Sequence, residues 1–434
     1  MKKIFIHTTL FLFSILQTTA QTWNSVGTGV SGGVVYALTI YNSELYVGGV
    51  FTTAGGNPAN HIAKWNGSFW STAGSGLNNP VLASTVFNSE LYVGGLFTTA
   101  GGIPANYIAK WNGSNWLAVG SGMDNGINAL CVYNGELYAG GVFTIAGGNP
   151  ANHIAKWNGS SWSSVGTGID SFVVSLTVFN SQLIAGGSFA NAGGNPATNI
   201  ASWNGSSWSA LSAGTNNQVN ALTVHNTELY VGGSFTTAGG NPANYIAKWN
   251  GSNWATLSVG VNGPIVYDLH SFNGNLYVGG SFTTAGGNPA NRIAVWNGSS
   301  WSTLSSGMNW PVFILMDYQN NLFAGGLFTT AGGTSTNYIG QWTNSSSVGD
   351  ITQNGEIIFY PNPFSTQTTL QADNPLNNAA LTLDNCFGQT VSQIKNLNGQ
   401  TIIFNRDNLP SGLYFLRLTQ DNKVITIDKL VITD

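Results

Sequence analysis

The sequence predicts an all-β chain folded as a seven-bladed β-propeller with four-stranded blades, and three observations predict it. A unit of about 46 residues recurs seven times between Gln21 and Trp342, which fixes a repeat architecture before any single residue is interpreted. Each unit holds a Gly-Gly pair (Gly48-Gly49 through Gly325-Gly326), a Phe one residue further on (Phe51 through Phe328), and a later Trp (Trp65 through Trp342). A second Trp follows five residues after the first in six units but is missing after Trp342, while Thr22-Trp23-Asn24-Ser25 supplies that segment at the other end of the repeat region. The expected consequence is a ring closed by pairing the N-terminal segment with the last unit.

Within the first unit, Val35 to Tyr41 alternates as a strand, Asn42-Ser43 turns, and Glu44 to Gly48 is a second strand. The loop from Thr52 to Asn60 leads into a third strand, His61 to Trp65. Asn66-Gly67 reads as a type I′ hairpin turn, because both residue types accept positive φ, and Ser68 to Ala73 is the fourth strand. Four antiparallel strands repeated around a ring make propeller blades. The same reading pairs Trp65 with Ser68 across the turn and makes Trp65 and Trp70 diagonal neighbours on one face. A buried Trp removes roughly 150–250 Å² from water, so the indoles are expected to be the cohesion between blades.

Residues 1–20 carry Lys2-Lys3, an apolar run from Ile4 to Leu16 and Thr18-Thr19-Ala20, the pattern of a secretory signal peptide cleaved after Ala20. No other run approaches the ~20 apolar residues of a transmembrane helix, and no Cys at the cleavage point offers a lipid anchor. Between Gln21 and Trp342 there are five basic residues (Lys64, Lys110, Lys156, Lys248, Arg292) and eight acids. That leaves no basic stripe for nucleic acid. Cys131 and Cys386 stand far apart and read as unpaired small residues.

The repeat motif, Tyr46-Val47-Gly48-Gly49 with Phe51 and Ile62-Ala63-Lys64-Trp65-Asn66-Gly67-Ser68, resembles the kelch and galactose-oxidase type of propeller. Its wording is similar to that of exported bacterial propellers and fungal cortical polarity markers. After a Ser-rich linker, 343–356, the composition changes. Phe359-Tyr360-Pro361-Asn362-Pro363-Phe364, Leu383 to Gln389, Leu409 to Leu418 and Lys429-Leu430-Val431 resemble the type A C-terminal sorting domain of the type IX secretion system. The resemblance implies that 357–434 form a small Ig-like β-sandwich recognised by the outer-membrane translocon. It also implies a Bacteroidetes source, and a passenger at 21–342 that is released or held at the cell surface. Alternation over Leu413 to Leu418 and Val424 to Ile432 independently fits strands.

No His-Glu-x-x-His, Gly-x-Ser-x-Gly, nucleotide-binding loop or Cys/His metal spacing occurs, so no catalytic residue, metal or cofactor is expected. The long second-to-third and fourth-to-first connections are expected on one rim, and variable residues there are the candidate ligand contacts: Asp124, Asp170, Phe172, Asn217 and Trp310. At the head of the third strand stand His61, Tyr107, His153, Asn199, Tyr245, Arg292 and Tyr338. The sixth innermost strand departs furthest from its sisters, with Asp268 in place of Ala or Ser and His270 in place of Thr. A spacing of two puts both on one face, where the carboxylate can orient the imidazole. The reading is a secreted or cell-surface, noncatalytic binding or adhesion propeller, a monomer whose ligand is a glycan or a protein. Its alternative is a carbohydrate-active lyase or hydrolase working from the long-loop rim.

Overall fold

A computed structural model describes residues 21–343, 357–385, 389–420 and 423–434, without the side chains of 357–358, 373–374 and 423–428. The leader expected at 1–20, nearly all of the linker, and Cys386 lie outside the described residues. The described residues divide into two compact units, 21–343 and 357–434.

Among the described residues of the first unit the chain forms seven four-stranded antiparallel sheets. The first contains Val34–Tyr41, Glu44–Val50, Ile62–Trp65 and Trp70–Thr72, in that order from inside to outside. First strands of successive sheets lie side by side, and that of the seventh, Val312–Tyr318, returns to that of the first, so the sheets close a ring of the β-propeller kind. The seventh sheet takes its outer strand from Thr22–Ser25, with Trp23 opposite Trp342 and Ser25 opposite Gly340. The Trp count had foretold this pairing.

The Gly-Gly pair is a packing requirement. A Cβ on Gly48 would stand 2.6 Å from Val81 of the next sheet, and one on Gly49 would collide with the Val34 carbonyl. Two bulkier residues would therefore push adjacent sheets apart and break the inner hairpin.

Two local expectations are corrected. Trp65 is the direct cross-strand partner of Trp70, not its diagonal neighbour. The loop between them spans four residues: Asn66 N–H donates to the Phe69 carbonyl, and Asn66 Oδ1 accepts from the N–H groups of Ser68 and Phe69. Only Gly67 there has positive φ, so this is no type I′ turn. The two-residue turn with both φ positive is Asn42-Ser43, at 48° and 62°.

Each outer-strand indole also reaches backwards. Trp70, Trp116, Trp162 and Trp208 donate Nε1–H to the carbonyls of Val26, Ala73, Val119 and Val165, at 2.8–3.0 Å. Trp23 donates in the same way to Leu304, so the closing strand joins the same relay. Each third-strand and outer-strand Trp pair has ring centroids 5.1–5.4 Å apart. Four sheets add an ion pair, Lys64–Glu44, Lys110–Glu90, Lys156–Glu136 and Lys248–Glu228, at 2.7–2.8 Å.

In the second unit, Ile357–Tyr360, Gln367–Asn385, Thr390–Asn405, Gly412–Gln420 and Lys423–Ile432 form one five-stranded antiparallel sheet. Leu370, Leu381, Leu383, Phe404, Leu416, Leu418 and Leu430 build its core. Arg406 ties the edge together by donating to the carbonyls of Leu409, Ser365 and Thr433.

Candidate functional site

The rim made by the long connections is an ordered layer. In each unit the second-to-third connection folds into a two-residue ladder, such as Thr53–Ala54 with Asn57–Pro58, and the fourth-to-first connection pairs with it. Asp124 belongs to this latch. Its Oδ1 accepts from the N–H groups of Thr144 and Ile145, and its Oδ2 from the Thr144 hydroxyl. Asp170 makes the equivalent contacts to Ala190 and Asn191, and Asn78, Asn216, Asn262 and Asn309 take the place in other units. Burial pushes both carboxyls up, but the hydrogen bonds from these N–H and hydroxyl donors outweigh it, and their pKa values end below the usual one. Asn217 is exposed but tied to its own loop, its Oδ1 accepting from Gln218 N–H and its backbone carbonyl from the Thr215 hydroxyl.

The head of the third strand is a second structural position. His61, Tyr107, His153, Asn199, Tyr245, Arg292 and Tyr338 all have φ between 61° and 71°. This left-handed geometry lets the His61 N–H donate to the Phe51 carbonyl while its own carbonyl accepts from Gly49 N–H. Tyr107, Tyr245 and Tyr338 pack on the inter-sheet cores, Arg292 donates to the Met308 carbonyl, and Asn199 bridges Phe189 N–H and the Thr215 carbonyl. Burial lowers the pKa of His61 and His153. These side chains wedge between a sheet and the connection of the next. Trp310 and Phe172 differ, with 55% and 49% of their surface open on the rim.

A cavity of about 690 Å³ opens along the ring axis, lined by the innermost strands of all seven sheets. The residue after the first buried Val or Ile of each inner strand faces it, and here the copies read Tyr36, Leu82, Asn128, Val174, Asn220, Tyr267 and Phe313. Three adjacent sheets therefore place aromatic rings on one wall, with Phe313 4.7 Å from Tyr267 and 5.3 Å from Tyr36 between centroids. The opposite arc carries amides. Asn128 donates to the Val173 carbonyl, and Gln218 donates to Asn220 at 2.5 Å. Sequence reasoning passed over this set, although aligning the seven units at that one position shows it. Burial, with the neighbouring Tyr267 second, raises the Tyr36 pKa, so this phenol stays neutral at physiological pH.

Asp268 stands on the same wall, deep in the molecule but with part of its surface on the cavity. Its Oδ2 accepts from the Leu315 N–H at 2.6 Å. Desolvation dominates and lifts its pKa to about 7, against the lowering effect of hydrogen bonds from Leu315 and Leu269. The expected Asp268–His270 pair is corrected: His270 Nε2 lies 2.9 Å from Asp317 Oδ1, on the inner strand of the seventh sheet. Both Asp268 and His270 do lean the same way, as their spacing required, but each meets the neighbouring strand rather than the other. Burial lowers the His270 pKa, with Asp317 acting in the opposite direction. Cys131 is free and half-buried, its thiol pushed up to about 11 by burial. Among the described residues no cluster of His, Cys, Asp or Glu is arranged to hold a metal ion.

Comparison with known proteins divides the chain in two. Residues 358–433 match the secretion system C-terminal sorting domain, which indicates secretion or a cell-surface location. Residues 121–274 match the Rax2 C-terminal beta propeller domain, and 273–294 match a beta-propeller domain of unknown function. No curated protein matches. Among solved structures, the BT3049 extracellular domain from B. thetaiotaomicron is similar at 11% identity and TM-score 0.52, over 95% of this chain and 57% of that one. PorZ, a surface component of the type IX secretion system of Porphyromonas gingivalis, is similar at 12% identity and TM-score 0.45, over 94% of this chain and 60% of its own. The chain thus spans less than two thirds of either structure. At such identities the first likeness speaks to the fold alone. Among the described residues no helix is long and apolar enough to cross a membrane.

Proposed function

We propose that this chain is a seven-bladed, kelch-like propeller exported by the type IX system of a Bacteroidetes bacterium, and that it acts outside the cell as a noncatalytic binding module. In this reading, 1–20 are a signal peptide, 21–342 the propeller, 343–356 a linker and 357–434 an Ig-like export address. The observation that carries the binding role is the axial cavity, where seven otherwise repetitive strands present different side chains. Loss of sameness at one ring position of a scaffold is where recognition is expected. The acids support binding over hydrolysis, because four of the eight sit in Glu–Lys pairs and two latch loops. The Ig-like reading of the tail draws support from Tyr414, whose hydroxyl donates to the Pro410 carbonyl four residues upstream, the contact of a tyrosine corner.

Two measurements test this. The full chain is screened on glycan and peptide arrays, and each hit is followed for product; a ligand bound and returned unchanged is expected, and turnover sinks the noncatalytic reading. Residues 1–20 and 357–434 are then fused to either end of an unrelated folded reporter in a type IX-competent host. The reporter should reach the medium or cell surface, and its retention in the periplasm refutes the export assignment.

A further inference from the structure

We infer that the axial cavity takes a neutral pyranose unit of an extracellular glycan, stacked on Phe313 and Tyr36, which Tyr267 supports edge-on, and hydrogen-bonded by Asn128, Asn220 and Asp268. This rests on the binding reading above and names its ligand class. A pyranose has an apolar C–H face and a rim of hydroxyls, and the cavity offers the complement of both, with rings on one arc and amides on the arc across the axis. The space lies within the ~300–1,000 Å³ of small-molecule sites.

Charge and ring geometry narrow the choice. No Lys or Arg lines the cavity, and an acidic or sulfated sugar would bring negative charge towards Asp268 with nothing basic to meet it. A quaternary ammonium group is held best by the faces of several rings around it. Here the rings lie on one wall, Phe313 and Tyr36 tilted by only 30° and Tyr267 packed edge-on to Phe313 at 76°, which makes a one-sided aromatic wall and not a cage.

Sister sheets supply variants that keep the fold, since Leu82 and Val174 already occupy the aromatic and amide position. The full chain and its Phe313→Leu, Tyr267→Val and Asn220→Val variants are titrated calorimetrically with neutral oligosaccharides, uronate oligosaccharides, choline and a peptide panel. Binding of a neutral oligosaccharide is expected, weakened roughly tenfold by each substitution, as for a contact worth ~1.4 kcal/mol. Each variant should still unfold cooperatively within a few degrees of the parent, which separates lost binding from lost folding. Preference for uronates, choline or peptide that the same variants abolish overturns the glycan assignment and leaves the binding module standing. Neutral-glycan binding that all three variants leave intact places the sugar elsewhere and overturns the proposal. Absence of any ligand from all four panels overturns it together with the binding reading.

Discussion

The Trp belt between the sheets and the wall of the axial cavity are built from the same repeat and have taken opposite courses. Every sheet keeps two indoles in the belt, even where the second comes from the other end of the repeat region, at Trp23. Every outer-strand Trp spends its N–H on the carbonyl of the preceding sheet, so each seam depends on the one before it. On the cavity wall the equivalent position holds seven copies of five residue types, and inner strands from adjacent sheets meet through makeshift contacts: Thr39 with Ser84, Asn128 with Val173, Asp268 with Leu315. A closed ring is therefore constrained where its parts must fit each other and free where they face the axis. The belt carries the stability and the wall carries the individuality.

The sharpest way to break that contrast is to open the ring. Deleting Thr22 to Gly27 removes Trp23 and leaves Ile339–Thr343 as an unpaired edge. Loss of cooperative unfolding, or self-association through the bare edge, is expected by calorimetry and light scattering. A monomer with unaltered melting would refute closure. Next in size is Trp116→Ala, which takes a buried ring and its bond to the Ala73 carbonyl out of one seam. It should cost about 3–5 kcal/mol in urea titration, whereas Phe313→Leu on the wall should cost less than about 1.5 kcal/mol.

Asp268 is the wall residue whose effect should depend on pH below neutrality. Its folded pKa of about 7 exceeds the ordinary 3.8, so the unfolded chain gives up the proton first. Stability therefore falls as pH rises from about 4 to about 7 and the deficit stays constant above that. Burial holds the His270 pKa below its ordinary value, a contribution of opposite sign that the parent and an Asp268 variant share and that cancels in their difference. Asp268→Asn keeps an acceptor for Leu315 N–H and should stabilise the fold by about 1–3 kcal/mol at pH 8, with the upper part of the range trimmed by water in the channel. Near pH 4 the gain should vanish. An equal gain at both pH values would show that packing, not ionisation, is responsible.

Which features the sequence disclosed follows the same divide. Repetition exposed the sheets and the closing strand, because the strand order is set by spacing within one unit and the closure by a count of Trp residues across all of them. The type I′ turn was misplaced because Asn-Gly is the strongest two-residue signal, yet Asn66 uses its side chain to cap a four-residue loop while the plainer Asn42-Ser43 makes the tight turn. Asp268 and His270 were recognised as departures, but their partners lie 47 residues away on the next sheet, beyond the reach of strand periodicity. The loop acids looked available because the repeat period aligns Asp124 with Asn78 without showing the backbone N–H groups that this position caps.

The smallest expected effect concerns a feature repeated in only four sheets, and it asks whether repetition by itself signals stability. Lys110 and Glu90 meet at 2.7 Å with 27% and 24% of their side chains exposed, while the fourth sheet carries Gln182 and Ser202 at the same places. The hydrogen bond that Lys110 donates to Glu90 raises the Lys110 pKa against the opposing effect of burial. A raised lysine adds stability that is present below its unfolded pKa and lost as pH climbs through the folded one, so at neutral pH the pair contributes fully. Partly exposed pairs are nevertheless worth only ~0.2–1 kcal/mol. A double-mutant cycle with Glu90→Gln and Lys110→Ser should return a coupling in that range, reduced by high salt. A coupling as large as the loss from Trp116→Ala would put the ion pairs beside the indoles as builders of the ring, and the contrast between belt and wall would have to be redrawn to include the strand faces between them.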